Sequence, residues 1–328
     1  MMDKTVISTR IRLARNLKNV PFPRRMSLEQ KHEVCQKVKS AAMSLKGYDF
    51  DYIDMDQLTT IQAGSMVEDH LISVDFANAK EGGGLLLDRK NNISIMINEE
   101  DHLRIQVTGK GERLNALYAV ANKLDDELDE QLGFAFDEDR GYLTQCPTNL
   151  GTGLRASVMM HLPALSESGL INKVINTVSQ VGLTVRGMYG EGSQPTGGIY
   201  QVSNRVTLGV TEQDILERLF DVVGQIAKNE AVLREKMLEN ISVKDRIFRA
   251  YGVLSEARIL SSQEFMRLMS DVRLGVEGGL INLDPVALDE LSISVQPYTL
   301  MLFGGENMQV GQRDIKRADM VREKLGRQ

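Results

Sequence analysis

The stretch Cys146-Pro147-Thr148-Asn149-Leu150-Gly151-Thr152-Gly153-Leu154-Arg155 reads C-P-x-x-x-G-T-x-x-R. It puts a thiol, flexible glycines and an arginine into one short segment. Three other segments supply complementary chemistry: Ser8-Thr9-Arg10-Ile11-Arg12, Asn98-Glu99-Glu100-Asp101-His102-Leu103-Arg104 and Arg186-Gly187-Met188-Tyr189-Gly190-Glu191. Arg10, Arg12, Arg104, Arg155 and Arg186 stand in these segments. A guanidinium is planar, permanently charged and grips phosphate with two parallel hydrogen bonds. Several of them converging on a triphosphate would offset its charge and brace a phosphoryl group in transfer. Arg10 and Arg12 point to one side if their segment is extended. Taken singly, each arginine reads as ordinary surface salt bridging. The four segments together point to an anion site.

Glu100 and Glu191 supply the other half. A guanidinium is a poor nucleophile because its pKa lies above about 12. Two carboxylates flanking its plane can orient it and take a proton as an N–P bond forms. Glu99 and Asp101 share the turn with Glu100, and either could be the base. The alternative is a solvated acidic turn. A Cys146 thiolate near several arginines would be favoured electrostatically and could touch a guanidinium without a covalent intermediate. A buried, inert cysteine is the plainer reading. No Cys–His–Asn or Ser–His–Asp arrangement is legible. His70 and His102 read as hydrogen-bonding partners, and His70 could stack near a purine.

The elements that must hold these residues alternate between strands and helices to about residue 230, then become mostly helical. Ile93, Ile95 and Ile97, then Leu103, Ile105 and Val107, predict two strands around the turn of Asn98 to His102. Leu114, Leu117, Ala121, Leu124 and Leu128 form a helical stripe. Ala156, Val158, Met160 and Leu162 alternate, so Arg155 opens a strand. Leu170, Val174, Ile175 and Val178 suit a helix ending near Gly182. Strands are expected over 183–189 and 200–208. Hairpins in mixed order predict an α+β fold: a mostly antiparallel sheet flanked by helices, with a C-terminal α-helical domain. Thr211 with Asp214 reads as a helix N-cap, and Ser242 and Ser261 as further helix starts. The division is placed at 1–233 and 234–328. Gly151 to Ala156 fits G-x-G-x-x-A, but a strand pattern follows it, so it is no dinucleotide fingerprint. Neither a Walker A loop nor the Ser/Thr/Tyr kinase motifs are present.

Net charge is −6, against a general nucleic-acid coat binder. No apolar run reaches membrane-spanning length, and Met1-Met2-Asp3-Lys4 is not followed by a signal-peptide core. Cys35 and Cys146, far apart, fit a reducing cytoplasm better than a disulfide framework. The four histidines and two cysteines form no cluster with metal-ligand spacing.

C-P-x-x-x-G-T-x-x-R, S-x-R-x-R, N-E-E-D-H and R-G-x-x-G-E together resemble the phosphagen (guanidino) kinases over roughly residues 3–233. Within that family the chain is most similar to the bacterial branch that phosphorylates arginine side chains in proteins. The resemblance implies ATP binding by Ser8, Thr9, Arg10, Ile11, Arg12, His70, Arg104, Arg155, Ala156, Ser157, Val158, Met159, Arg186, Gly187, Met188, Tyr189, Gly190 and Glu191. It implies that Glu100 and Glu191 hold and activate the guanidinium, with Cys146 beside it. Mg²⁺ would enter with ATP, held mainly by phosphates and water, without a dedicated protein metal site.

There are departures from the family. Small-molecule members carry a helical domain before S-x-R-x-R, part of which closes over substrate; here seven residues precede Ser8. The expectation is an open site that admits an arginine presented on a protein. Those members also commonly place a tryptophan where this chain has Met96. Near the C-terminus, Arg313-Asp314-Ile315-Lys316-Arg317-Ala318 matches the R-D-x-x-R-A motif of the protein-acting branch. The resemblance implies a phosphoarginine pocket, with Asp314 for the guanidinium, Arg313 and Arg317 for the phosphate, and Ala318 completing the motif. The alternative is an amphipathic helix burying Ile315, Ala318, Val321 and Leu325, with Asp314–Arg317 a surface pair. By resemblance, a cytoplasmic homodimer in bacterial stress response is expected. Its partners would be protein substrates with exposed arginine, an activator protein, a heat-shock repressor and a Clp ATPase/protease, with no membrane or direct nucleic-acid contact. Two rivals remain: a kinase of a free guanidino metabolite, and a non-catalytic phosphoarginine-binding adaptor.

Overall fold

A computed structural model of the chain describes residues 2–187, 197–305 and 308–326. A helical turn, α1 (Met2–Thr5), leads into β1 (Val6–Arg15). Then come α2 (Leu28–Ser44), β2 (Asp51–Asp54), α3 (Thr60–Glu68), α4 (Val74–Asn78), β3 (Gly84–Asp88), β4 (Ile93–Ile97), β5 (Leu103–Lys110) and α5 (Leu114–Leu132). A short hairpin, β6 (Phe136–Asp137) and β7 (Gly141–Tyr142), precedes β8 (Leu154–His161). After α6 (Pro163–Glu167) and α7 (Ile171–Gln180) come β9 (Leu183–Gly187) and β10 (Ile199–Asn204). The rest is helical: α8 (Glu212–Glu239), α9 (Ile241–Glu256), α10 (Ser262–Glu277), α11 (Pro285–Ser294), α12 (Pro297–Gly304) and α13 (Val310–Leu325).

Among the described residues the main sheet has eight strands in the order β2-β3-β4-β5-β1-β8-β10-β9, every neighbouring pair antiparallel. The α+β expectation holds. Strand alternation explains why one face is apolar. Ile11, Leu13, Ile105, Val107, Ala156, Val158 and Val202 share a core with Leu117, Ala121 and Leu124 of α5 and Leu219 and Val223 of α8. Burying each large aliphatic side chain of this set contributes about 1.5–3 kcal/mol relative to leaving it exposed. α2 and α8 start at capping boxes, Ser27 with Gln30 and Thr211 with Asp214, each satisfying otherwise orphaned N–H groups.

A separate core in the C-terminal helices joins Ile247, Leu254, Phe265, Val272, Leu288, Ala318, Val321 and Leu325. The expected division at 233/234 falls inside α8, which continues to Glu239; the chain turns at Asn240. Asn240, not Ser242, caps α9, because its side-chain oxygen accepts from the Ser242 N–H at 2.9 Å. Ser261 caps α10 as expected.

Candidate active site

The opposite face of the sheet is polar, and the strand register brings the arginines to it. Arg12 on β1 stands directly opposite Arg155 on β8 and Gln106 on β5. Arg10 pairs with Ser157, and Arg104 of β5 lies opposite Ala14. Directly opposed residues of antiparallel strands share a face. Through Met159 and Gln201 the same face reaches Arg186 on β9. Ser8, paired with Met159, also lies on it.

These cations raise one another's energy. Burial and the charges of Arg104 and Arg155 push Arg10 down to about 10. Arg12 is pushed well below its ordinary value by burial and by Arg10, Arg104 and Arg155, with Glu99 opposing. The Arg12 Nε is buried with no hydrogen-bond partner among the described residues. An arginine does not relieve such strain by losing its proton. An anion that accepts several N–H bonds at once would relieve it. Arg155 Nη2 donates to Ser203 Oγ at 3.4 Å. His70, in left-handed backbone geometry at φ 58°, is held neutral by burial and by Arg10, its pKa near 4.

The turn between β4 and β5 sorts its acidic residues by what they touch. Asp101 is buried, and its Oδ1 accepts from Asn16 Nδ2 and from the Gln145 N–H, both at 2.7 Å. His102 Nδ1 accepts from the Leu17 N–H at 2.9 Å, and its Nε2 lies 2.8 Å from the Pro21 carbonyl, which assigns the proton to Nε2. Both residues bind the turn to the segment after β1. Glu99 accepts from Arg104 Nη1 at 2.7 Å, Ser73 Oγ at 2.6 Å and the Glu100 N–H at 2.9 Å. Glu100 keeps capacity to spare. Its side chain is 32% exposed, 3.7 Å from Arg104 Nη2 and 3.5 Å from Asn149 Nδ2. Burial raises its pKa, Arg104 opposes, and the Cys146 thiol hydrogen-bonds to it.

The segment carrying Cys146 is fixed from below. Thr207 Oγ1 bonds the carbonyls of Thr148 and Leu150 at 2.9 and 2.8 Å. Arg15, ion-paired with Asp125 at 2.7 Å, donates Nη1 to the Thr152 carbonyl at 3.0 Å. Gly153 sits at φ 62°, where an added Cβ would lie 2.5 Å from Arg15 Nη1 and 2.7 Å from the Ala14 carbonyl oxygen. Only glycine fits there. Cys146 Sγ lies 3.0 Å from Thr148 Oγ1, on the side of Glu100.

Of the residues expected at the nucleotide, Ser8, Arg10, Arg12, Arg104, Arg155, Ser157, Met159 and Arg186 share the polar face, with His70 over it. Thr9, Ile11, Ala156 and Val158 do not. Strand alternation turns their side chains away; Ile11, Ala156 and Val158 enter the helix-covered core, and Thr9 bonds the Gly111 carbonyl at 2.7 Å. Gly187 closes β9. Met188, Tyr189, Gly190 and Glu191 lie outside the described residues. Ser73, Gln106, Asn149 and Ser203 escaped the sequence reading. Asn149 stands inside the cysteine motif, whereas the other three are marked only by register or by contacts distant in the chain.

The R-D-x-x-R-A segment lies on α13. Arg317 is 1% exposed, and its Nε and Nη1 donate to the carbonyls of Val295 and Leu260 at 2.9 and 2.7 Å. Its Nη1 also meets Asp314 Oδ1 at 2.6 Å, so the pair is enclosed at its arginine end and half-buried at Asp314, rather than the surface pair of the simpler reading. Ala318 is enclosed in the helical core. Ile315 is 48% exposed, against the expected stripe, while Val321 and Leu325 are buried. Arg313 donates to the Met308 carbonyl at 3.0 Å and stays partly accessible, as does Asp314.

The family profile described as "ATP:guanido phosphotransferase, C-terminal catalytic domain" matches residues 33–233. The one described as "Protein-arginine kinase McsB C-terminal domain" matches 240–328. The chain is 47% identical to a protein-arginine kinase of Brevibacillus brevis over 98% of this chain and 91% of that one. It is 47% identical to one of Halothermothrix orenii over 98% and 93%. Among solved structures, a lombricine kinase aligns with TM-score 0.64 at 26% identity, over 72% of this chain and 69% of that one. A duplicated taurocyamine kinase of Schistosoma mansoni, with bound transition-state-analogue components, aligns with TM-score 0.62 at 29% identity, over 78% and 35%. With matches of this extent over both halves, the chain belongs to the ATP:guanido phosphotransferase family, in its protein-arginine kinase branch.

Proposed function

We propose that this protein transfers the γ-phosphoryl group of ATP to a guanidinium nitrogen of arginine residues in proteins. The observation that carries the reading is the buried Arg12 Nε, without a hydrogen-bond partner among the described residues, inside a cluster of cations, with the under-used carboxylate of Glu100 at its rim. A triphosphate supplies the missing acceptors. Arg10, Arg12, Arg104, Arg155 and Arg186 then stabilise charge on the equatorial phosphoryl oxygens. The acceptor guanidinium docks on Glu100 and on Glu191, whose role is carried over from the family motif. As the N–P bond forms and the bond from Pγ to the bridging oxygen breaks, a guanidinium proton passes to a carboxylate and ADP leaves. The raised pKa of Glu100 suits a proton acceptor. Among the described residues no group of three or more His, Cys, Asp or Glu side chains could hold a metal. Mg²⁺ fits as a companion of the phosphates, where it would neutralise their charge.

A protein acceptor is favoured over a free metabolite by the C-terminal match and by the names of the full-length relatives. In this reading the C-terminal half recognises phosphoarginine through Arg313 and Asp314, with Arg317 and Ala318 supporting them. A cytoplasmic homodimer, an activator, a heat-shock repressor and a Clp ATPase/protease belong to the same proposal. No described helix is long and apolar enough to cross a membrane. The test is mass spectrometry, at neutral pH to preserve N–P bonds, of a protein and of free arginine after incubation with MgATP. Phosphoarginine in the protein is expected. Phosphorylation of free arginine alone would reassign the substrate, and equal product from Glu100→Gln would overturn the mechanism.

A further inference from the structure

One place where the two halves of the molecule meet is the packing of α3 against α12. Glu68, the last residue of α3, caps the N-terminus of α12. Its two carboxylate oxygens accept from the N–H groups of Tyr298 and Thr299 at 2.9 and 2.7 Å, and from Thr299 Oγ1 at 2.8 Å. A carboxylate suits orphaned N–H groups at a helix N-terminus. The contact is close-fitting elsewhere too. Gly64 lies so near the Tyr298 ring that an added Cβ would sit 2.5 Å from its Cγ. Ser65 Oγ is 3.3 Å from Thr299 Oγ1.

Beyond Glu68 the chain runs straight to the polar face. The His70 carbonyl accepts from Gln106 Nε2 at 2.8 Å, and Gln106 stands opposite Arg12 in the sheet. The Leu71 carbonyl accepts from Ser94 Oγ at 3.0 Å. Ser73 Oγ donates to Glu99 at 2.6 Å, and Glu99 holds Arg104 Nη1 at 2.7 Å. Below this run, Ala63, Ile72 and Phe76 pack on Leu85, Leu87 and Met96. α3 and α4 thus form a layer over the outer end of the arginine face, gripped from outside by the C-terminal half.

We propose that Glu68 is a positioning residue for phosphoryl transfer. By fixing α3 to α12 it sets the placement of His70 and Ser73, and through Ser73 and Glu99 that of Arg104. This deepens the function proposed above and rests on it. Glu68 itself touches no reacting group. Arg10, Arg12 and Arg155 stand on β1 and β8 and do not depend on α3 for their placement, so catalysis should suffer more than nucleotide binding.

The experiment compares the full chain with its Glu68→Ala, Glu68→Gln and Glu290→Ala variants. Phosphorylation of a protein substrate by MgATP is measured per folded molecule, with thermal melts alongside. Glu68→Ala is expected to lower kcat about 10-fold or more, as misplacement of a catalytic constellation does, with KM for ATP changing less than about 3-fold. Glu68→Gln keeps one carbonyl acceptor but turns an amide NH₂ toward a backbone donor; its kcat should fall between wild type and Glu68→Ala. Glu290→Ala removes a solvent-exposed pair with Lys110 between the same halves and should leave kcat unchanged. If Glu68→Ala does not fold, Glu68→Gln decides. Lower melting temperatures with wild-type kcat per folded molecule would make Glu68 merely structural and overturn the proposal. A wild type that forms no phosphoarginine would overturn the function itself, a result distinct from an active wild type with unaffected variants.

Discussion

Arg12 and Arg317 are both drawn into the protein, one under each half, and their surroundings are opposite. Arg317 is enclosed by two backbone carbonyls and Asp314, and it ties α13 to the chain before α10 and after α11. Arg12 has other arginines for neighbours and a buried Nε with no acceptor among the described residues. Burial of a guanidinium therefore does not by itself mark a site. A satisfied cation organises the fold, whereas an unsatisfied one among like charges implies a ligand that arrives later.

The largest effect expected from this contrast is on rate. Arg12→Ala should lower kcat by about 10³-fold or more, close to 4 kcal/mol of barrier, as loss of an arginine aimed at a transferring phosphoryl group does. The same variant should melt no lower than wild type, since it removes a poorly compensated charge. A lower melting temperature with rate nearly intact would reverse the assignment. Arg317→Ala should do the opposite and destabilise the protein by about 3–5 kcal/mol in denaturant unfolding, because Asp314 and two carbonyls lose their partner. Near-native stability would contradict its structural role.

Two smaller effects depend on pH. The folded pKa of Glu100 is raised, mainly by burial, so its neutral form is favoured and stability is lost as pH rises through that value. Glu100→Gln should therefore melt higher than wild type at pH 7, with the gap closing below the ordinary glutamate value near 4.5. Wild-type activity should fall with acidification through an apparent pKa above that value. The smallest effect concerns His70. Its folded pKa lies near 4 against 6.5 when unperturbed, so the unfolded chain binds the proton first and stability declines as pH falls between those values. A His70 ring signal that stays unprotonated to below pH 5 in NMR titration would fit; ordinary titration near 6.5 would remove Arg10 and burial as its controlling neighbours.

Much of the arginine face was legible because a strand repeats every two residues. Arg10 and Arg12 had to share a side, and the alternation after Arg155 identified β8. The same period shows where a contiguous motif misleads. Thr9, Ile11, Ala156 and Val158 stand between residues of the arginine face and belong to the other face. Thr211 with Asp214 could be read as a cap because both partners are local, while Ser242 lost the role to Asn240 two residues earlier. Glu68, Ser73 and the burial of Arg317 had no local signal. Each depends on a partner far along the chain, Thr299, Glu99 and Val295 respectively, and only packing brings these together.

The most direct test of the account is a crystal structure with a non-hydrolysable ATP analogue and Mg²⁺. A phosphate oxygen within hydrogen-bonding distance of Arg12 Nε, with Arg10 and Arg155 on the same group, is predicted. Nucleotide bound elsewhere while Arg12 Nε still lacks an acceptor would contradict it.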